Sequence, residues 1–266
     1  MPELPEVETI RRQLEPRLVG RRIVDAWAFA SEKFTDAPHA VGAEIEAVGR
    51  RGKYLILGLD DDQELVVHLG MTGQLMVQPE RALDDYSRAW FELDDGATLV
   101  FRDVRRFGRI RVVPAGDYAT IATLHTIGPE PFDPGFTGEA LYERLRASDR
   151  RIKTQLLSQR PVAGVGNIYA DEALWHAGVY PAARTITRAR ADRLRDALVE
   201  VLTAGIEHGG TTLRDYRNAE GGEGSNQRHL QCYGRAGEPC TRCGTELRSR
   251  IWDARTTTWC PRCQPR

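Results

Sequence analysis

Nowhere does the 266-residue chain hold eighteen consecutive apolar residues, which excludes an apolar helix long enough to span a bilayer. Lysine is nearly absent: only Lys33, Lys53 and Lys153 among 37 basic residues, so a lysine inside a motif stands out. Cysteine is scarce as well. There are five, four of them within the last 27 residues, which is not a disulfide framework spread through a secreted chain. The opening MPELPEVETIRRQ carries acids where a secretory leader would carry a basic and then an apolar run. These absences predict a cytoplasmic protein in a reducing compartment, with no membrane association. A net charge of −1 leaves no general basic excess, against a uniformly basic nucleic-acid binder.

The charge that is present is unevenly distributed. From Arg228 onward there are eight arginines against three acids, while the preceding 227 residues carry 29 basic and 35 acidic groups. A basic tail on an acidic body predicts a local contact with a polyanion. Hydrophobic residues at 41% and charged residues at 28% are ordinary for a folded globular chain.

Val7, Ile10, Leu14 and Leu18 recur at three or four and predict an amphipathic helix over 4–18. From about 22 to 113 short β-prone runs follow, among them IVDAWAF, KYLILGL, ELVVHLG, AWFEL, TLVFRDV and GRIRVV, which predict an all-β sandwich or barrel. Pro129, Pro131 and Pro134, with Gly128 and Gly135, punctuate a linker. Helical periodicity then appears in ALYERLRA, IKTQLLSQ, NIYADEALWHAG and a long segment around 187–207. The polar, glycine-rich NAEGGEGSNQ (218–227) predicts a mobile loop rather than a packed element. No internal repeat is present. The predicted organisation is a β domain over 1–130, a helical domain over 131–227 and a small metal-stapled module over 228–266.

Cys240, Cys243, Cys260 and Cys263 form C-x2-C-x16-C-x2-C. Each C-x2-C turn aims two thiolates at one point, and two such knuckles complete a tetrahedral Zn²⁺ shell. With four protein ligands and no open position, one zinc there is structural; the alternative is a redox pair or chance. Cys232 lies outside the pattern and reads as a buried or free thiol. Arginines 242, 248, 250, 255 and 262 make a phosphate backbone the natural partner of this module.

Pro2, Glu3 and Glu6 sit at helix-entry spacing. One reading is purely structural, since proline and acids favour a helix start. The other depends on removal of Met1, which exposes a secondary α-amine. Such an amine, with a pKa near ~7.7–8.0, is partly neutral and nucleophilic at pH 7. Its attack on an aldehydic sugar carbon gives a cationic iminium, and Glu3 could protonate a sugar or leaving oxygen.

Taken together, MPELPEVET (1–9), RRGKYL (50–55), HLGMTG (68–73), DVRRFG (103–108), AGVGNIYADEALW (163–175) and the finger over 237–264 resemble the bacterial formamidopyrimidine-DNA glycosylases of the Fpg/Nei family. The blocks span nearly the whole chain in family order. The resemblance implies an α+β multidomain fold: an N-terminal β-sandwich with a leading helix, a helix–two-turns–helix domain and a C-terminal zinc finger. It also implies a monomer acting on double-stranded DNA that contains an oxidised purine or an abasic site. Excision of 8-oxoguanine and formamidopyrimidines would be followed by strand cleavage.

By the same resemblance Pro2 is the Schiff-base nucleophile, Glu3 the assisting acid, and Lys53 a phosphate-contacting residue that assists catalysis. Glu6 would help shape the site. His68, Asn167 and Arg255 would contact phosphates, and Met71, Arg105 and Phe107 would fill the gap left by an extruded base. Without the resemblance, Lys53 reads as a solvated strand-edge lysine, His68 as a satisfied core histidine, and Met71 and Phe107 as sandwich core. Arg106 and Arg109 read as phosphate contacts or surface charge. Thr72 stands where serine is common in the family, and Cys232 where an apolar residue is usual. Two rival readings are an endonuclease VIII-like enzyme for oxidised pyrimidines and a non-catalytic zinc-ribbon DNA-binding protein.

Overall fold

A computed structural model describes all 266 residues and divides them into two compact units, 1–125 with 206–227, and 126–205 with 228–266. No helix in either is long and apolar enough to cross a membrane.

The first unit opens with helix α1, Leu4–Leu18. Glu3 and Glu6 form a reciprocal capping box at its start, where the Glu3 N–H donates to Glu6 Oε2 at 2.7 Å. Pro5 occupies the first turn, where a missing N–H costs nothing. Val7, Ile10, Leu14 and Leu18 are fully buried, as their spacing predicts.

Eight strands follow: β1 (Ile23–Ala28), β2 (Ile45–Arg51), β3 (Tyr54–Leu59), β4 (Gln63–His68), β5 (Gly73–Gln78), β6 (Ser87–Leu93), β7 (Thr98–Asp103) and β8 (Arg109–Pro114). They form two antiparallel sheets, ordered β1-β6-β7-β5 and β2-β3-β4-β8. The inner faces supply Ile45, Leu55, Leu65 and Val67 from one sheet, and Leu75, Phe91, Leu99 and Phe101 from the other. These share one core with the apolar stripe of α1. The β domain is therefore a sandwich.

The 218–227 segment is a hydrogen-bonded loop, packed at Gly224 and Asn226. Asn218 Oδ1 accepts the N–H groups of Glu220 and Gly222 at 3.0 and 2.8 Å, closing a local turn. Buried Asn226 donates from its backbone to the Gly210 carbonyl (3.1 Å) and from its amide to Thr211 Oγ1 (2.9 Å). Glycine serves packing here: a Cβ on Gly224 would lie 2.1 Å from the Gly210 oxygen, so two backbones touch where side chains could not.

The second unit holds the short α2-to-α3 connection beyond residue 126, α3 (Gly138–Arg146), α4 (Ile152–Leu157), α5 (Asn167–Ala177) and most of α6 (Arg188–Glu207), with α2 being Ala122–His125 of the first unit. Thr137 caps α3 by accepting the Ala140 N–H at 3.1 Å. Helix α5 is buried on almost every side and ends at Gly178 in the left-handed conformation. The cysteine module carries a hairpin, β9 (Arg248–Trp252) and β10 (Arg255–Trp259), joined through Asp253 and Ala254, both at positive φ.

Candidate active site

Pro2 and Glu3 are buried at the mouth of α1, while Met1 projects outward. With Met1 attached the Pro2 nitrogen is an amide; its removal would leave a secondary amine. Glu6 holds this entry in place from two sides. Its Oε2 takes the Glu3 N–H, and its Oε1 takes the Thr211 N–H at 2.7 Å. The Tyr216 hydroxyl donates to the Glu6 carbonyl at 3.4 Å, and burial, reinforced by the Glu6 charge, pushes that phenol's pKa up. Glu6 is thus a bracket between the first helical turn and the segment that leads into the 218–227 loop.

Lys53 lies in the two-residue turn joining β2 to β3 and is buried, a rare fate for a lysine on a hairpin tip. His68 pairs across the ladder with Tyr54, and their rings sit 4.7 Å apart. Burial, then the nearby charges of Lys53 and Arg109, lower the His68 pKa to about 4. Its Nδ1 accepts the Gly70 N–H at 3.2 Å, which leaves the proton on Nε2. His68 is therefore a neutral donor near pH 7.

The two loops beyond His68 and Asp103 meet in backbone contact. A Cβ on Gly70, which has φ +64°, would lie 2.5 Å from the Gly108 nitrogen, and one on Gly108 would lie 2.4 Å from the Phe101 ring, so both positions need glycine. Met71 is 37% exposed and Phe107 47% exposed, which removes both from the sandwich core. The Arg105 guanidinium stands 4.8 Å from the Phe107 ring centre, and Lys33 Nζ approaches the same ring at 5.8 Å. Lys33 also donates to the Arg106 carbonyl at 2.6 Å, and Arg106 has φ +55°. A methionine, an arginine and a phenylalanine are thus presented outward from a rigid base.

The second unit brings Asn167 and Arg255 onto adjoining pieces of backbone. Asn167 opens α5, and its Nδ2 donates to the carbonyl of Thr256 at 3.3 Å, one residue after Arg255. Its Oδ1 is buried without a hydrogen-bond partner. Beneath them, Lys153 Nζ lies 2.7 Å from Asp171 Oδ1 and donates to Thr256 O and Thr257 Oγ1, both at 3.0 Å. Asp171 Oδ2 accepts the Thr258 N–H at 2.9 Å. Desolvation raises the Asp171 pKa to about 7 against the pull of Lys153. The sequence pointed to Lys153 only as a rare lysine; that it ties α4 and α5 to the hairpin needed the tertiary pairing.

The four finger cysteines place their sulfurs within 4.8 Å of one another, with Cys240–Cys263 at 4.0 Å and Cys243–Cys260 at 3.5 Å. Tetrahedral Zn–S bonds of ~2.3 Å put sulfurs about 3.8 Å apart, so the set fits zinc and is too open for disulfides. Trp175 Nε1–H points at Cys240 Sγ at 3.4 Å, and the Cys263 N–H at Cys260 Sγ at 3.3 Å, donors suited to thiolates. Cys232 is fully buried beside this cluster, its thiol donating to Thr258 O at 3.2 Å, and burial pushes its pKa up.

Comparison with known proteins accounts for these features together. Residues 1–110 match the formamidopyrimidine-DNA glycosylase N-terminal domain, 127–217 the H2TH domain of the same proteins, and 237–266 the zinc finger found in FPG and IleRS. The formamidopyrimidine-DNA glycosylase of Deinococcus radiodurans is 44% identical over 100% of this chain and 98% of its own. The crystal structure of the MutM (Fpg) protein of Thermus thermophilus superposes with a TM-score of 0.92 at 43% identity, covering 99% of this chain and 98% of that one. A complex of Lactococcus lactis Fpg with DNA containing an abasic site superposes with a TM-score of 0.89 at 36% identity, over 99% and 100% of the two chains. This chain belongs to the formamidopyrimidine-DNA glycosylase family.

Proposed function

We propose that the protein is a bifunctional DNA glycosylase and abasic-site lyase that removes oxidised purines from double-stranded DNA, as a cytoplasmic monomer. The observation that carries this reading is the N-terminal segment: Pro2 buried at a capped helix start, beside a Glu3 whose backbone is fixed by Glu6. Structures of Lactococcus lactis Fpg with DNA bearing Fapy-dG or an abasic site support the substrate class.

Once Met1 is removed, the Pro2 amine adds to C1′ of the damaged nucleoside, the C1′–N bond electrons leave with the base, and the proton released by the proline nitrogen neutralises the departing base. Glu3 delivers a proton to the ring oxygen as the sugar opens, giving an iminium between C1′ and the proline nitrogen. That iminium accepts the electron pair left when C2′ loses its proton, and the 3′-phosphate is then eliminated. Lys53 and His68 are phosphate contacts, His68 through its Nε2–H, and so are Asn167 and Arg255. Zinc bound by the four cysteines fixes the module that carries Arg255 and takes no part in the chemistry.

Extrusion of the base leaves a gap that Met71 and Phe107 can fill with polarizable and aromatic surface. Arg105 has five N–H donors and no acceptor. Cytosine offers it O2 and N3, whereas adenine sets an amino donor beside N1. The donor–donor clash costs roughly 1–3 kcal/mol, or about five- to 150-fold, so excision opposite cytosine should exceed excision opposite adenine. The deciding experiment is a duplex panel carrying 8-oxoguanine, formamidopyrimidine or thymine glycol. Faster excision of the purine lesions is expected; preference for thymine glycol would favour the oxidised-pyrimidine branch, and no excision at all a binding protein.

A further inference from the structure

Asp103, the last residue of β7, is fully buried, and the donors that hydrogen-bond its carboxylate are a hydroxyl and two backbone N–H groups rather than a lysine or arginine side chain. A buried carboxylate without a cation is stable only if its lone pairs are well filled. Three donors fill them. Thr72 Oγ1–H donates to Oδ1 at 2.6 Å, the Arg105 N–H to the same oxygen at 3.2 Å, and the Gly108 N–H to Oδ2 at 2.7 Å. The Thr72 oxygen in turn accepts the Arg105 N–H at 3.1 Å. Every one of these donors belongs to the two loops that present Met71, Arg105 and Phe107. An apolar residue would serve the end of a sandwich at lower desolvation cost, so the carboxylate's role lies in the loops.

We infer that Thr72 and Asp103 are positioning residues for opposite-base discrimination: they fix the backbone nitrogen of Arg105 relative to Met71 and Phe107, and through it the guanidinium that reads the orphaned base. The inference rests on the enzymatic reading above. Serine would differ from Thr72 by one methyl group, and either residue supplies the hydroxyl that this arrangement requires. The Asp103 carboxylate and the Thr72 hydroxyl share the Arg105 N–H, so losing the hydroxyl frees that nitrogen to shift while leaving Pro2, Glu3 and Glu6 untouched.

The test compares Thr72→Val, Thr72→Ala and Thr72→Ser with the unsubstituted protein. Three rates are read: single-turnover excision of 8-oxoguanine opposite cytosine, the same excision opposite adenine, and borohydride trapping on abasic DNA that lacks an opposite base. Removing the hydroxyl is expected to lower the cytosine-to-adenine ratio by about tenfold. Trapping should change little, and Thr72→Ser should keep the unsubstituted ratio. Thr72→Ala, which adds no bulk, reads the same loss if valine is not tolerated. An unchanged ratio in the hydroxyl-free variants, an equal fall in Thr72→Ser, or a parallel fall of trapping and excision overturns the inference. So do equal rates opposite the two bases in the unsubstituted protein. Absence of any trapped adduct there overturns instead the enzymatic reading.

Discussion

His68 shows how a single side chain takes its properties from its neighbours. Its ordinary pKa would leave it partly charged at neutral pH, but burial and the Lys53 and Arg109 charges lower it to about 4. The ring therefore titrates in the unfolded chain before it does in the folded one. Between about pH 6.5 and 4 the unfolded state binds the extra proton, so stability falls as pH falls through that window and is level above it. An NMR titration should place the His68 midpoint near 4, and Lys53→Met should raise it. A midpoint near 6.5 would remove the neutral-donor assignment. The sequence identified His68 and Lys53 by motif, but a motif carries no dielectric, and the protonation state had to come from the packing. The same holds for Met71 and Phe107, whose apolar character suits core and wedge equally until their exposure is known.

Among the elements, those with one strong periodicity were legible in sequence. Helix α1 runs over the predicted 4–18 because its apolar stripe and its capping box agree. Strands β2 and β5 were not among the runs picked out from sequence. In β2, IEAVGRR ends in two arginines, and Arg50 is accommodated because Glu8 on α1 accepts its Nε–H at 3.1 Å. In β5, GQLMVQ alternates correctly but is short and bounded by glutamines, and it gains its place by pairing with β7. The packing of the 218–227 loop is hidden from sequence, because polar composition says nothing about backbone packing of the Gly224–Gly210 kind. Glu172 on α5 is a further element-scale device that sequence left silent. Its carboxylate accepts the N–H groups of Gln231, Cys232 and Tyr233 at 2.8, 2.8 and 2.7 Å, anchoring the chain as it enters the finger. Glu172→Gln turns one acceptor into a donor facing those N–H groups. It should cost about 2 kcal/mol, seen as a lower unfolding midpoint of the zinc-loaded protein. An unchanged midpoint would show that the anchor is dispensable.

For the molecule as a whole, a net charge of −1 conceals a module from Arg228 onward with eight arginines against three acids, a local positive balance suited to the proposed DNA contact. The module's own apolar core is small, chiefly Cys232, Leu247, Trp259 and the cysteines against Trp175, so a metal shell adds cross-links that packing supplies only weakly. Zinc analysis should find about one ion per chain. Chelation, or Cys240→Ser with Cys243→Ser, should weaken binding to abasic duplex by about tenfold or more and reduce its salt dependence. Unchanged affinity in the metal-free protein would contradict a structural role. The C-x2-C spacing made this module readable from sequence, since the ligands themselves are the signal. The Thr72–Asp103 and Lys153–Asp171 pairs were not readable, because each joins residues distant in the chain.

The central claim is that the N-terminal amine of Pro2 forms the covalent bond to the sugar. Borohydride reduction on abasic duplex, followed by proteolysis and mass spectrometry of the adduct, tests it most directly. The label should fall on Pro2 and only in protein lacking Met1, with Glu3→Gln slowing base removal while leaving DNA binding largely intact. A reduced adduct on Lys53 or Lys153, or an adduct formed with Met1 still attached, would contradict the account.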